Sequence, residues 1–254
     1  MRNLKIGSIG AQGHMGKAFG NRFREIQKQG LLEGWELHES TGHDNVKLAR
    51  TVDLLALMVR PDRVVEALAG VQGATREGAG LLSFAGAVPL DFLQSRFNGE
   101  VGRAMADLNF EQAMRCGGDE RMKTLMDALS EDECLETADE FAVDQHTTLV
   151  ACNPGISAWH FLKNEARAEA WLRAHNELTH EMLGVSRDAM QRLQARVLRE
   201  GNFAAKIKEV ATKGGVTEAM VNALEAAQGD VTICDLFQVG MDKIAEADEK
   251  FQGH

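Results

Sequence analysis

The chain begins with a short run of alternating apolar residues, Leu4-Lys5-Ile6-Gly7-Ser8-Ile9, continues as Gly10-Ala11-Gln12-Gly13-His14-Met15-Gly16, and then takes on a helical pattern. Few local sequences constrain a fold as tightly. Glycines spaced three apart between a strand and a helix permit the positive φ of a sharp turn and let the helix start pack against the strand end. Unpaired amides at that helix start then face whatever lies above the turn, and they suit an anion. The spacing is a variant, one residue longer, of the fingerprint by which βαβ units cradle a dinucleotide pyrophosphate. A lone glycine-rich turn is weak evidence, but this one heads an alternating strand and helix pattern, which favours cofactor binding.

Further strands are predicted over Trp35 to Ser40, over Leu54 to Val59, over Gly80 to Phe84, and near Val101 to Ala106. Leu54-Leu55-Ala56-Leu57-Met58-Val59 is a continuous apolar run of the kind found in buried parallel sheets, stopped by Arg60-Pro61. Strands alternating with helical stretches imply a parallel sheet with right-handed crossovers. Only eleven residues separate Thr41 from Asp53. A crossover alone takes about 10–12, so one element there stays unassigned. After Cys152 the strand signals stop. Asn153-Pro154-Gly155 reads as a turn and a border, and Ala158 to Leu183 reads as one long helix ended by Gly184. Ser186 and Asp188 open the next helix, with breaks at Glu200-Gly201-Asn202, Lys213-Gly214-Gly215 and Gln228-Gly229-Asp230 and helix through Phe251. The expected fold is α/β: a Rossmann-type doubly wound parallel sheet over residues 1–152, then an all-helical domain over 153–254.

Hydrophobic residues at 44% and charged residues at 26% match an ordinary globular chain, long enough to bury its own core. A net charge of -10 argues against nucleic acid or an anionic membrane surface as partner. No apolar leader precedes Leu4 and no apolar stretch has spanning length, so a cytoplasmic location is expected. Cys116, Cys134, Cys152 and Cys234 form no CxxC pair and are read as buried reduced thiols. The histidines, at positions 14, 38, 43, 146, 160, 175, 180 and 254, include no HExxH; His175 and His180, five apart, are read as surface residues, and no metal is expected. Trp35, Trp159 and Trp171 are read as separate packing residues, and Met105, Met114, Met122 and Met126 as core or helix-face fillers.

The turn supplies the candidate cofactor-binding residues Gly10, Gln12, Gly13, His14, Met15 and Gly16. Glu39, at the end of the second strand, suits the adenosine ribose hydroxyls and would repel a 2′-phosphate, which favours NAD. Ser40, Thr41, His43, Lys47 and Arg50 are close enough in sequence to make a phosphate pocket instead, so NAD and NADP both stay open.

With these pieces placed, the chain resembles the pyrroline-5-carboxylate reductase family along nearly its whole length. Ile6 to Gly10 with Met15-Gly16 resembles that family's opening, Leu57-Met58-Val59-Arg60-Pro61 its strand ending in Val-Lys-Pro, and Ser83-Phe84-Ala85-Gly86-Ala87-Val88 its Ser-Ile-Ala-Ala-Gly segment. Val210-Ala211-Thr212-Lys213-Gly214-Gly215-Val216-Thr217 resembles the Val-Thr-Ser-Pro-Gly-Gly-Thr-Thr signature, and Leu183 to Ala189 the helix break before it. The resemblance implies reduction of a small cyclic imine carboxylate to proline by NADH or NADPH, in a homodimer or larger homo-oligomer whose helical domain binds substrate and pairs subunits. It adds Val59, Arg60, Pro61 and Ala85 to the cofactor contacts. It also implies substrate contacts at Asn153, Thr212, Lys213, Gly214, Gly215, Val216 and Thr217, with Thr217 catalytic: its hydroxyl would bond the imine nitrogen and help deliver a proton. Read without the resemblance, Lys213 to Thr217 is a turn in which Thr217 caps the next helix.

Departures from the family pattern point to a changed substrate. Ala151 to Trp159 replaces Ser-Gly-Ser-Gly-Pro-Ala-Tyr, Met105-Ala106-Asp107-Leu108-Asn109 replaces Met-Pro-Asn-Thr-Pro, and Lys213 and Val216 stand for proline and threonine. Two other readings remain open. One is a β-hydroxyacid-type dehydrogenase using Lys163, next to Asn164, as acid/base; the other is a nucleotide-sensing dimer without catalysis.

Overall fold

The computed structural model describes residues 3–40, 42, 44–132, 134–163 and 165–252; Thr41, His43, Asn164 and His254 lie outside the described residues. In chain order the first elements are β1 (Leu4–Ile9), α1 (His14–Lys28), β2 (Trp35–Glu39), α2 (Asn45–Ala49), β3 (Leu54–Leu57), a 3₁₀ turn (Pro61–Arg63), α3 (Val64–Ala69), β4 (Gly80–Ser83), α4 (Leu90–Arg96) and β5 (Glu100–Ala106). Then come β6 (Ala113–Gly117), α5 (Glu120–Leu129), β7 (Cys134–Thr137) and α6 (Glu140–His146). A π-helical turn (Thr147–Ala151) leads into α7 (Asn153–Lys163), α8 (Glu165–Leu183), α9 (Arg187–Glu200), α10 (Phe203–Val210), α11 (Val216–Ala226) and α12 (Ile233–Asp248). Two compact units result, residues 1–143 with 247–254, and residues 144–246.

The first unit is built on one seven-stranded sheet in the order β2-β1-β3-β4-β5-β6-β7. The strands pair in parallel except for β5 and β6, which are antiparallel. Residues alternate across it. Leu54 and Ala56 of β3 join the core on one face with Phe19, Phe23 and Ile26 of α1 and Met122, Leu125, Met126 and Leu129 of α5. Leu55 and Leu57 join the other core, with Leu48, Val64, Leu68, Phe92 and Leu93. Burial on both faces is why β3 and β4 read as unbroken apolar runs. The phenyl rings of Phe92 and Phe251 lie 4.6 Å apart, which ties the C-terminal residues into this same core.

The α/β class and the Rossmann-type sheet followed by helices are as the sequence predicts, with specific corrections. Two strands, β6 and β7, join the five expected, and they make the sheet mixed rather than wholly parallel. Arg115 hides β6: its side chain is buried, paired with Glu136 of β7 at 2.6 Å and donating to the Gly117 carbonyl at 3.1 Å. The unassigned element between Thr41 and Asp53 is the five-residue α2. The expected turn at Asn153-Pro154-Gly155 is instead the first turn of α7, where proline's missing N–H costs no helical hydrogen bond. Consequently Ala158 to Leu183 is two helices, α7 and α8, and the border expected after Cys152 falls within the second unit. Gly184 and Gly201, both at positive φ, end α8 and α9 as expected.

In the helical unit, Cys152, Ile156, Trp159, Met220, Val221, Leu224 and Leu236 form the core, with Trp171 packed against it. Trp159 and Trp171 are therefore not separate: the His160 ring lies 5.2 Å from Trp159 and 4.2 Å from Trp171, and His175 lies 5.1 Å beyond Trp171. His175 is buried, which corrects its reading as a surface residue; His180, half-buried, lies 3.1 Å from the Val185 carbonyl through Nδ1. Cys234 is exposed, unlike the buried Cys116, Cys134 and Cys152. Among the described residues no helix is long and apolar enough to cross a membrane.

Burial makes this unit sensitive to acid. It pushes His146 down to about 3, His160 to about 4 and His175 to about 3, from an ordinary value of 6.5. Below pH 6.5 the unfolded chain takes up protons that these folded imidazoles refuse, so stability is full above that pH and is lost as pH falls toward 4. The slope approaches about 1.4 kcal/mol per pH unit for each histidine. Urea unfolding midpoints measured between neutral and acidic pH should show it. His146→Phe, which removes a ring with both nitrogens buried and unpartnered, should flatten the dependence; an unchanged slope would reject the assignment.

Candidate functional site

The order β2-β1-β3 reverses the direction of winding at β1, and in open α/β sheets ligands bind at the carboxyl ends of the strands where this happens. The glycine turn lies there. Gly10 has φ +88°, and a Cβ on it would fall 2.4 Å from the Met58 carbonyl oxygen of the neighbouring strand end. The turn closes with the Gly13 amide donating to the Gly10 carbonyl at 3.0 Å. A Cβ on Gly16 would lie 2.2 Å from that same carbonyl oxygen, so this glycine lets α1 sit directly on the turn.

Gly13 is the N-cap of α1 and makes no side-chain cap, and the first turn of the helix carries no acid. The start of α1 is thus left positive and available to an anion. Over it opens a cleft of about 520 Å³, bordered by Gly10, Gln12, Gly13, Ser40 and Val59 from the predicted set. Residues with no sequence signal for this role complete it: Asn45 and Val46 from α2, and Arg63, Glu66, Ala67 and Gly70 around α3.

The other expected cofactor residues lie off this lining. His14, Met15 and Gly16 form the first turn of α1 beneath it, and Ala85 is buried. Arg60 is half-exposed and paired with Asp62 at 2.8 Å, beside Pro61. Glu39 leans over α1, where its carboxylate pairs with Arg24 at 2.6 Å and would crowd any Cβ on Gly20. Ser40 takes its place at the cleft. Its hydroxyl donates to Asn45 Oδ1 at 2.5 Å and accepts from the Gly42 amide at 3.0 Å, fixing the chain beyond β2. Among the described residues the cation bordering the cleft is Arg63, paired with Glu66 at 2.8 Å, whereas Lys47 and Arg50 are exposed on and after α2.

In the helical unit, Thr212 to Thr217 form one connected turn into α11. The Gly215 amide donates to the Thr212 carbonyl at 2.9 Å, Gly214 has φ +75°, and Gly215 is the N-cap. Thr217 therefore lies inside the helix and does not cap it. Its hydroxyl donates instead to Cys152 Sγ at 3.1 Å. Burial pushes the Cys152 thiol up to about 12, opposed by this hydrogen bond, so the sulfur stays protonated. Glu218, which sequence reasoning passed over, accepts the Gly214 amide at 2.6 Å. Lys213 is exposed and Val216 half-buried.

Asn153 is wholly buried on α7. Its amide nitrogen lies 3.0 Å from His175 Nδ1, and its oxygen accepts from Ser157 at 2.9 Å. Gly155, one turn above Cys152, is packed so closely that a Cβ would meet Val210 Cγ2 at 2.6 Å and Thr217 Cγ2 at 2.8 Å. Lys163, near the end of α7, is half-exposed and pairs with Glu225 at 3.4 Å, as a solvated lysine does.

No protein-family model matches the sequence, and no curated protein matches it. Solved structures do resemble the fold. Over all of this chain and 98% of the other, it is similar to a pyrroline carboxylate reductase of Plasmodium falciparum with NADP bound, at 17% identity and a TM-score of 0.55. A pyrroline-5-carboxylate reductase of Coxiella burnetii matches at 16% identity and a TM-score of 0.53, over 99% of this chain and 98% of that one. One from Streptococcus pyogenes matches at 18% identity and 0.52, over 97% and 98%. What these likenesses establish is the class of fold, a Rossmann-type sheet followed by a helical region, over the full length of the chain.

Proposed function

We propose that this chain is an NAD(P)H-dependent reductase of a small cyclic imine carboxylate, acting on a C=N bond as pyrroline-5-carboxylate reductases do. The observation that carries the reading is the uncapped start of α1 under an open cleft at the sheet's switch point. Its free amides are suited to a pyrophosphate, and Ser40, Asn45 and Arg63 border the same space as the adenosine contacts. A reduced nicotinamide, when bound, supplies the hydride. Gly10, Gly13 and Gly16 keep the backbone low enough for the diphosphate to approach.

The helical unit supplies the substrate contacts. Amides at the start of α11 and the ammonium of Lys213 hold the carboxylate, and Thr217 makes a hydrogen bond to the ring nitrogen. The protein works as a homodimer or larger homo-oligomer, and the exposed Leu162, Met182 and Leu198 are apolar surface that pairing would cover.

Mixing the protein with NADH or NADPH and 1-pyrroline-5-carboxylate, and following nicotinamide absorbance, tests the reading. Thr217→Ala should lower kcat/KM by at least about tenfold, the loss of one hydrogen bond to a charged group, while cofactor affinity stays within about twofold. Equal turnover by the two proteins would remove Thr217 from the mechanism. Cofactor binding with no turnover of any cyclic imine would favour a non-catalytic dinucleotide-binding protein.

A further inference from the structure

Thr217 has little freedom. It is 8% exposed, its methyl faces the bare Cα of Gly155, and its hydroxyl donates to the Cys152 sulfur at 3.1 Å. A hydroxyl has one proton; once that is given to a neighbour, only lone pairs remain for anything else.

We infer that Cys152 is a positioning residue that makes the Thr217 oxygen an acceptor, so that the site takes its substrate as the N–H-bearing iminium cation rather than as the neutral imine. The inference rests on the reductase reading and specifies the protonation state of its substrate. Atoms and charges balance without a proton from threonine. Hydride from the reduced nicotinamide forms a C–H bond at the C=N carbon, the π pair moves to nitrogen, and the positive iminium becomes a neutral secondary amine that keeps its N–H. Thr217 Oγ1 receives that N–H throughout. The sulfur suits this task because burial keeps it a neutral thiol that does not compete for the substrate's charge. Wild-type rate should therefore fall as pH rises through the ionisation of the free iminium.

The experiment compares wild type, Cys152→Ala, Cys152→Ser, Thr217→Ala and the double variant Cys152→Ala/Thr217→Ala, reading kcat/KM against pH with 1-pyrroline-5-carboxylate and NADPH. Removing the sulfur frees the Thr217 proton, so Cys152→Ala should lose about tenfold at low pH and move the alkaline fall to higher pH. Cys152→Ser, which retains an acceptor, should restore the wild-type profile and serves also if the alanine variant fails to fold. In the Thr217→Ala background, Cys152→Ala should cost nothing further. An active wild type whose pH profile is kept by Cys152→Ala, or altered by Cys152→Ser as much as by Cys152→Ala, or losses that simply add, would overturn the inference while leaving the reductase reading intact. A wild type with no turnover overturns both, and is distinguished by the first assay alone.

Discussion

Gly16→Ala should abolish dinucleotide binding and destabilise the protein by about 3 kcal/mol, the upper part of the range for forcing atoms into a packed site. The added methyl would lie 2.2 Å from the Gly10 carbonyl oxygen, 2.6 Å from Ala11 Cα and 2.8 Å from the Ala11 carbonyl carbon. All three are backbone atoms of the turn itself, so no side chain can swing aside, and α1 must lift off the turn that presents its amides. Gly13→Ala makes the informative contrast. Its Cβ would meet nothing nearer than 3.4 Å, so the fold should hold, and the methyl would instead project toward the space where a diphosphate must approach the backbone. Melting curves with and without NADPH, together with a fluorescence titration, separate the two. The Gly16 variant should lose stability and binding together, and the Gly13 variant binding alone. Near-normal titration by Gly16→Ala would mean that the α1 start is not the phosphate site.

The contrast also shows which parts of this protein are legible in its sequence. β1, its glycine turn and α1 form a local unit in which period, glycine spacing and helix start all report on adjacent residues, so their reading and their geometry agree. β3 and β4 are legible for another reason: burial on both faces leaves no polar position to blur the pattern. β6 is not, because Arg115 breaks its apolar run, and the carboxylate that makes a buried arginine tolerable stands on β7. No window along the chain contains both partners. Glu39 is incompletely legible for a similar reason. It has the residue type and the place expected of a ribose ligand, and nothing beside it in sequence announces that Arg24, almost three turns into α1, pairs with its carboxylate, or that Ser40 and Asn45 border the cleft.

The helical unit is less legible still, since its cues are ambiguous in kind. Proline and glycine at 154 and 155 signal a turn, yet proline is equally at home in the first turn of a helix, and glycine equally marks a close helix crossing. The structure takes the second meaning for both. Histidines five apart on a helix point to different faces, but the spacing does not tell which face is covered, as the one carrying His175 is while His180 stays half-buried. Cys152 and Thr217 are 65 residues apart, and nothing at either position announces the other.

Gly155→Ala should have a larger effect on catalysis than any change to an exposed residue of the turn before α11. Alanine is favoured over glycine within a helix by about 1 kcal/mol, which works for the variant. Against it, the new methyl would lie 2.6 Å from Val210 Cγ2 and 2.8 Å from Thr217 Cγ2, so the ends of α10 and α11 must yield where they cross α7. The two contributions leave a net stability loss of about 1–2 kcal/mol. Turnover is far less forgiving. A shift of the Thr217 hydroxyl by about 1 Å is enough to cost about a hundredfold in rate, with no reason for cofactor affinity in the other unit to change. The cause can be isolated by giving the methyl room. Thr217→Ser deletes the crowded methyl and keeps the hydroxyl, and Val210→Ala removes the other obstacle. Combined with Gly155→Ala, these two changes should recover at least about tenfold of the lost kcat/KM, whereas either made on its own in the wild-type background opens a small void and lowers stability. If the triple variant is no more active than Gly155→Ala, crowding of Thr217 is not why the glycine is needed, and the place of Thr217 in the reaction loses its structural support.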